Sequence, residues 1–271
     1  MSLTSDLDGI AEGVRNRILI LDVERLPGIT KQYWWDRGDL KNRYIHYETV
    51  ERAPRTTIVC AKWYDEPDVI QLAEWDKGGR KQFLRKVHRL MEQADIIVGH
   101  NLDNADIPWL KGDLHIEAGL PPLPPFKTVD TLKVLRSQFK SGAPFKSLDA
   151  FCQIVGIPAK TDRYDREAME RAVTARSIED RHRLIEYCAG DVIATQGLYD
   201  WARPHIKNHP MLFVDGKDKL TVCHRCGHET EMIPRRYVAN LLTYSMRRCE
   251  SCLGYSRISI EPERMSIVRG V

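Results

Sequence analysis

The chain has 271 residues, 42% of them hydrophobic and 29% charged, with a formal net charge of +3. That size and balance suit one large globular domain, or one domain with a small appendage. They exclude a spanning helix, because no apolar stretch approaches the ~18 residues one needs. The charge is uneven: residues 216–271 hold 10 Lys+Arg against 6 Asp+Glu, and residues 1–215 hold 31 against 32, so the basic surplus sits in the tail.

The opening "MSLTSDLDGIAEG" is polar and mildly acidic, unlike a signal peptide, which points to an N-terminal tail over 1–16 and a cytoplasmic protein. "ILILDVERLP" reads as a buried strand that turns polar after Leu21. Leu26 to Arg55 is aromatic and charged without clean periodicity, a long excursion; its Tyr33, Trp34 and Trp35 are candidates either to stack single-stranded bases or to cover an edge of the core. "TTIVCAKWY" and "DVIQLAEW" read as strands joined by a turn. Apolar residues then recur at helical spacing from Arg80 to Ala94, followed by the short strand "DIIVGHN" and a helix from Asn104 to about Glu117. "LPPLPPF" is a stiff connector. Asp130 is placed to cap the helix "TLKVLRSQF", a second helix ends at Gly156, and a long one runs from Ile178 to about Ala202. Strands followed by alternating helices predict an α/β domain with a mixed sheet over 17–210.

Acidic residues mark three places in this plan. Asp22 and Glu24 lie two apart on a strand and share a face. Asp106 follows the short strand at the start of a helix, and Tyr187 and Asp191 lie four apart on the long helix, hence on one side of it. Carboxylates crowded at the edge of a core repel one another unless cations join them. Oxygen-only ligands favour Mg²⁺ or Mn²⁺, and two such ions about 3.5–4 Å apart can clamp both oxygens of a phosphoryl displacement.

In order, "LDVE", "GHNLDNAD" and "YCAGD" resemble the three motifs of the DEDD 3′–5′ exonucleases, tyrosine subclass, whose RNase H-like fold is shared by DnaQ and by the exonuclease domains of family B polymerases. "VDTL" and "FKSLDAFCQIVGI" add to the likeness, which covers roughly residues 17–205. The resemblance implies that Asp22, Glu24, Asp106 and Asp191 hold two Mg²⁺ or Mn²⁺ ions and that Tyr187 orients the attacking water. It also implies a nucleic-acid substrate with a 3′ end, single-stranded DNA in the first instance, with RNA as the rival and a non-cleaving binding protein as the alternative of another class. The family commonly has Phe before its second-motif Asp where this chain has Ala105; Asp103 is the other candidate, but the spacing from Asn101 favours Asp106. His100 and Asn101 adjoin the site and are candidates to touch substrate, whereas His88, His115 and His182 read as surface or packing residues. No polymerase-like segment accompanies the motifs, so a role in replication or repair calls for a protein partner.

Seven cysteines, without a signal peptide, argue against a disulfide framework. Cys60, Cys152 and Cys188 are isolated in apolar surroundings and read as core residues. Cys223, Cys226, Cys249 and Cys252 form two Cys-x2-Cys pairs around a hairpin-like stretch, spacing that suits one structural Zn²⁺ with four thiolates and resembles a zinc ribbon over 211–271. Arg225, Arg235, Arg236, Arg247, Arg248 and Arg257 carry the basic surplus and are candidates for phosphate contact.

Overall fold

Alternation along Ile18–Leu26 builds the centre of the protein. These nine residues form strand β1 in a computed structural model of the chain, which describes residues 9–31, 45–139, 147–158, 164–239, 242–258 and 263–264. As expected, Asp22 and Glu24 belong to the strand, which continues to Leu26. Beyond it, β2 (Ile29–Thr30) pairs with β3 (Val50–Arg52) as a separate two-stranded ribbon. The aromatic cluster at Tyr33, Trp34 and Trp35 lies outside the described residues.

Next come β4 (Arg55–Trp63), β5 (Ile70–Ala73), helix α1 (Gly79–Glu92), β6 (Ile96–Gly99), α2 (Asp106–Lys111) and β7 (Lys127–Asp130). The main sheet has the order β5-β4-β1-β6-β7. Its β5, β4 and β1 pair antiparallel, and β6 and β7 join β1 in parallel. Helices α3 (Thr131–Gln138), α4 (Leu148–Val155), α5 (Arg166–Thr174) and α6 (Ile178–Ala202) complete the domain. This is the helix-flanked mixed sheet of an RNase H-like fold.

The period of two sorts β1 between two cores. Leu19, Leu21 and Val23 pack with Phe83, Leu84 and Val87 of α1 and with Ile107 and Leu110 of α2. Ile18 and Ile20 pack on the other face, with Ala168 and Met169 of α5 and Leu184, Cys188 and Val192 of α6. Asp22 and Glu24 continue that second face, so α6 lies against them. Each large apolar side chain buried here contributes about 1.5–3 kcal/mol. Cys60, Cys152 and Cys188 are fully buried, as expected.

Two helices differ from expectation. The stretch from Asn104 to Glu117 splits into α2 and a wider π-type turn, Gly112–Glu117. The change coincides with buried Asp113, whose Oδ2 accepts the Thr56 N–H at 2.9 Å. Helix α5 went unanticipated, because its buried residues Ala168, Met169 and Ala172 include only one large apolar side chain.

In the tail, β8 (Thr230–Ala239), β9 (Leu242–Cys249), β10 (Tyr255–Arg257) and β11 (Glu263–Arg264) form a sheet in which β9 pairs with the other three. The N-terminal segment joins this module. Ala11 N–H donates to Cys226 O at 2.7 Å, Arg15 N–H to Phe213 O at 2.8 Å, and Val14 bridges Val214. Gly227 has left-handed backbone, with φ of +78°, and a Cβ there would come within 2.9 Å of the Val14 and Val214 methyls, so glycine permits the close approach. No helix among the described residues is long and apolar enough to cross a membrane.

Candidate metal-dependent active site

Carboxylates from β1 and α6 meet at the C-terminal half of β1. Asp22, Glu24 and Asp191 each bring an oxygen within 4.8 Å of the others. Their approach is set by backbone packing: Cys188, one turn before Asp191, lies with its thiol 3.5 Å from Asp22 O. On the other side, the β1–β4 register shifts between Glu24 and Arg25, and the Thr57 hydroxyl donates to Glu24 O at 3.1 Å. Such bulges re-aim side chains at the ends of pairing.

Glu24 and Asp191 are only 9% and 8% exposed, and Asp22 Oδ2 is a buried oxygen with no hydrogen-bond partner among the described residues. Burial, then the charges of Glu24, Asp191 and Asp106, hold the Asp22 carboxyl well above the usual carboxylate range. Tyr187 stands on the same side of α6. Burial, and then Asp191, Glu24 and Asp22, push its phenol up, which places its oxygen in the field of all three carboxylates.

Asp106, the first residue of α2, is buried but lies outside the 4.8 Å cluster. Its charge still acts on Asp22, and burial pushes its own carboxyl up to about 7, with Asp130 adding to the rise. Asp103, the other candidate, is engaged by Lys133 Nζ at 2.7 Å. Of the two, Asp106 is the one whose charge reaches Asp22.

Asp130 does more than cap α3. Its Oδ1 accepts from the Leu132 and Lys133 N–H groups, and also from Asn101 N–H at 3.0 Å, while Oδ2 accepts from Asp103 N–H at 3.2 Å. One side chain therefore ties the start of a helix to the loop that leads into α2. Asn101 has φ of +63°, a left-handed conformation asparagine tolerates better than most residues. Its Oδ1 lies 3.4 Å from Asn104 Nδ2, so the amide is used within the loop. His100 Nδ1 sits 2.9 Å from the Thr131 hydroxyl. Gly99, at the end of β6, lets this loop pass close to β1; a Cβ there would stand 3.1 Å from Leu21 O and 2.8 Å from a Leu102 methyl.

Arg25, Trp109 and Asp130 were missed as site neighbours. Arg25 donates to Pro54 O at 3.0 Å, lies 4.8 Å over the Trp109 ring and partly offsets the rise at Asp106. The signal for Arg25 was present: a cation directly after Glu24, on a strand otherwise apolar or acidic.

The residues fit the expected groups. Three convergent carboxylates, one with an orphaned buried oxygen, form an oxygen-only donor set suited to hard divalent cations. The four tail cysteines are unbonded and their sulfurs gather in one cluster, with Cys223–Cys252 at 3.7 Å and Cys226–Cys249 at 3.5 Å. A tetrahedron of Zn–S bonds has edges of about 3.8 Å, so the spacing is that of a four-thiolate shell and far from a disulfide, at about 2.05 Å.

Not all the basic residues face outward. Arg225 is buried; its Nε donates to Ile206 O at 2.9 Å and its Nη1 to Tyr255 O at 2.8 Å, beside the thiol cluster. Arg247 is half-buried and bonds the hydroxyl and carbonyl of Thr230. These two were expected among the phosphate-contacting arginines, and the structure uses them to close the module instead. Arg235, Arg236, Arg248 and Arg257 are exposed.

No family model matches the chain, and no curated protein matches it. Among solved structures, it is similar to a family B DNA polymerase from the hyperthermophilic archaeon Pyrobaculum calidifontis, at 16% identity and a TM-score of 0.49, over 70% of this chain and 25% of that one. It is also similar to RNase D of Trypanosoma brucei, at 17% identity and a TM-score of 0.41, over 69% of this chain and 57% of that one. The RNase D complex with RNA U12 gives 16% identity and a TM-score of 0.39, over 78% and 59%. The chain thus spans a quarter of the polymerase's length and under two thirds of RNase D's.

Proposed function

We propose that the protein is a divalent-metal-dependent 3′–5′ exonuclease that releases nucleoside 5′-monophosphates, with DNA as the first substrate and RNA as the rival. The observation that carries this reading is the meeting of Asp22, Glu24 and Asp191, with the Tyr187 phenol in their field. Asp22, Glu24 and Asp191 would hold the ions, with Asp106 completing the set from α2. Two Mg²⁺ or Mn²⁺ ions, when bound, supply Lewis acidity and neutralise charge at the phosphodiester.

The chain's own groups do the rest. Tyr187 keeps its proton well beyond neutral pH, so its phenol donates and accepts hydrogen bonds and does not serve as a base. It would orient water toward the terminal phosphorus, contributing position. Asp130 fixes the loop of His100 and Asn101, which would lie beside the 3′ nucleotide. Residues 17–210 would carry this chemistry. Residues 211–271 would fold around one structural zinc, whose binding substitutes for the core that a segment this short lacks.

The test is incubation with 3′- and 5′-labelled DNA and RNA oligonucleotides under Mg²⁺, Mn²⁺ or EDTA. A 3′ label released as a mononucleotide, with a 5′-labelled ladder shortening stepwise and EDTA abolishing both, is the expected result. Tight binding without any cleavage at either end would return the chain to a non-cleaving binding protein.

A further inference from the structure

The tail sheet presents a face unlike the rest of the surface. Register pairs Tyr237 with Tyr244, Met246 with Arg257, and Arg248 with Tyr255. Because residues 244, 246 and 248 lie two apart on β9, all six side chains project to one side. The contacts agree with that placement. The Tyr237 and Tyr244 ring centroids are 6.4 Å apart, and the Arg257 guanidinium lies 4.5 Å over Tyr244 and 5.4 Å over Tyr237. Arg248 lies 5.8 Å over Tyr255. Tyr237 and Tyr255 remain 47% and 48% exposed. Glu231, in register with Arg248, is the one carboxylate on this face among the described residues.

We propose that this face of β8, β9 and β10 is a stacking platform for single-stranded nucleic acid, separate from the carboxylate site. Exposed tyrosine rings take any base on their π-faces, and guanidiniums held over the rings are placed to meet the phosphates between bases. The charge selects a polyanion: two arginines against one glutamate, in a segment that holds 10 Lys+Arg against 6 Asp+Glu. The geometry selects an unpaired strand. The β9 partners of Tyr237 and Tyr255 are four residues apart, about 14 Å along the strand, whereas bases in a duplex follow at about 3.4 Å and are already stacked. The two exposed rings therefore take separate bases of an extended strand. The choice of ligand rests on the reading of the chain as a nucleic-acid enzyme, while the surface itself does not.

The experiment uses the full chain in an Asp191→Asn background, so that bound strands survive. Fluorescence anisotropy reads the binding of a 20-mer oligo-dT, a 20-mer oligo-rU and a 20-base-pair duplex. A double variant, Tyr237→Leu with Tyr255→Leu, keeps apolar bulk but removes the rings; Tyr237→Phe with Tyr255→Phe keeps them. Expected is a loss on the order of 10–100-fold for single strands in the leucine pair, none in the phenylalanine pair, and little change for the duplex. Zinc content reports whether the module has folded. Independently of any substitution in the tail, photocrosslinking of bromouracil-substituted oligonucleotide should mark Tyr237 or Tyr255. Leucine-pair binding equal to that of the parent, or crosslinks confined to other residues, overturns the platform. With Asp191 restored, the leucine pair should hydrolyse thymidine 5′-(p-nitrophenyl) phosphate as the unsubstituted protein does, because the ester occupies only the carboxylate site. If the unsubstituted protein leaves that ester and labelled DNA intact yet binds single strands through the tyrosines, the exonuclease reading fails and the platform stands.

Discussion

Tyr187 and Asp106 separate two jobs that the carboxylate site combines. Tyr187→Phe keeps the ring on α6 and removes only the oxygen, so fold and cation binding should survive. Cleavage under single-turnover conditions at saturating Mn²⁺ should fall on the order of 100-fold, the cost of mispositioned water. An unchanged rate would make the phenol a packing group. Asp106 gives a pH dependence with a definite sign. Its ordinary value is 3.8 and burial lifts it to about 7, so between those values the folded protein keeps a proton the unfolded chain has lost. Stability therefore falls as pH rises through that window, and Asp22 acts in the same direction. Asp180, held down to about 2 by Arg171, has the opposite sign, but its contribution is lost only below the window, whereas His209, held down to about 4 by burial, opposes the trend as pH rises to its ordinary 6.5. With zinc retained and no other divalent ion added, the melting temperature should drop from pH 6.5 to 7.5, above the range in which His209 opposes it. Mn²⁺ should restore it most at the upper end, where fewer protons must leave. Asp106→Asn should flatten both trends; a profile identical to that of the parent would show that Asp106 does not titrate in this range.

At the scale of elements, the readable part of the site was the part carried by periodic structure. Asp22 and Glu24 sit on a strand whose alternation was plain, and Tyr187 and Asp191 on a helix whose bounds, Ile178–Ala202, are those expected, with Ser177 as its cap. The missed parts are held by single long-range contacts that no local pattern announces. Asp130 read as an N-cap and is one, yet its links to Asn101 and Asp103 span 29 and 27 residues. Arg25 escaped because its neighbours Trp109 and Asp113 come from a distant helix and turn. The Asp130 clamp makes a prediction. Asp130→Ala removes a helix cap, costing about 0.5–2 kcal/mol, and orphans two further N–H groups in the loop before α2. Urea unfolding should show at least that loss, and Asp130→Asn, which keeps an acceptor oxygen, should lose less. Activity should fall with the shift of that loop. Because Asp130 raises Asp106, either change should also move the acidic limb of the pH–rate profile downward. Lost activity with unaltered stability would instead place Asp130 among the groups acting directly on substrate or metal.

At the scale of the whole molecule, residues 9–16 join the sheet domain to the cysteine module. The sheet domain was legible because strands, helices and motifs followed one another in order, and the four-cysteine module because its spacing has few other uses. The pairing of residues 9–16 with the module was not, since "GIAEGVRN" has neither alternation nor helical spacing to mark a partner. In the structure, Ala11 and Gly13 bond Cys226 and Asp215, Asn16 Oδ1 accepts from Phe213 N–H at 2.8 Å, and Ile10 N–H donates to the Tyr64 hydroxyl at 3.2 Å. Tyr64 in turn donates to Asp200 on α6 and accepts from the fully buried Arg203. The N-terminal segment therefore links the cysteine knuckle to the end of the helix that carries Asp191. Removing residues 1–16 should leave the carboxylates and their ester hydrolysis in place, because none of them touches residues 9–16, the described part of the segment. It should expose the Val14 side of Gly227 and uncover backbone groups around Cys226, so thiolate–zinc exchange should speed up. The measurement is the rate of zinc transfer to a colorimetric chelator, compared between the full and shortened chains, with ester hydrolysis as the internal control. Faster transfer at constant hydrolysis is expected. Equal transfer rates would mean that the four thiolates hold their ion without help from the N-terminal segment, and a parallel loss of both would mean that the segment supports the sheet domain as well.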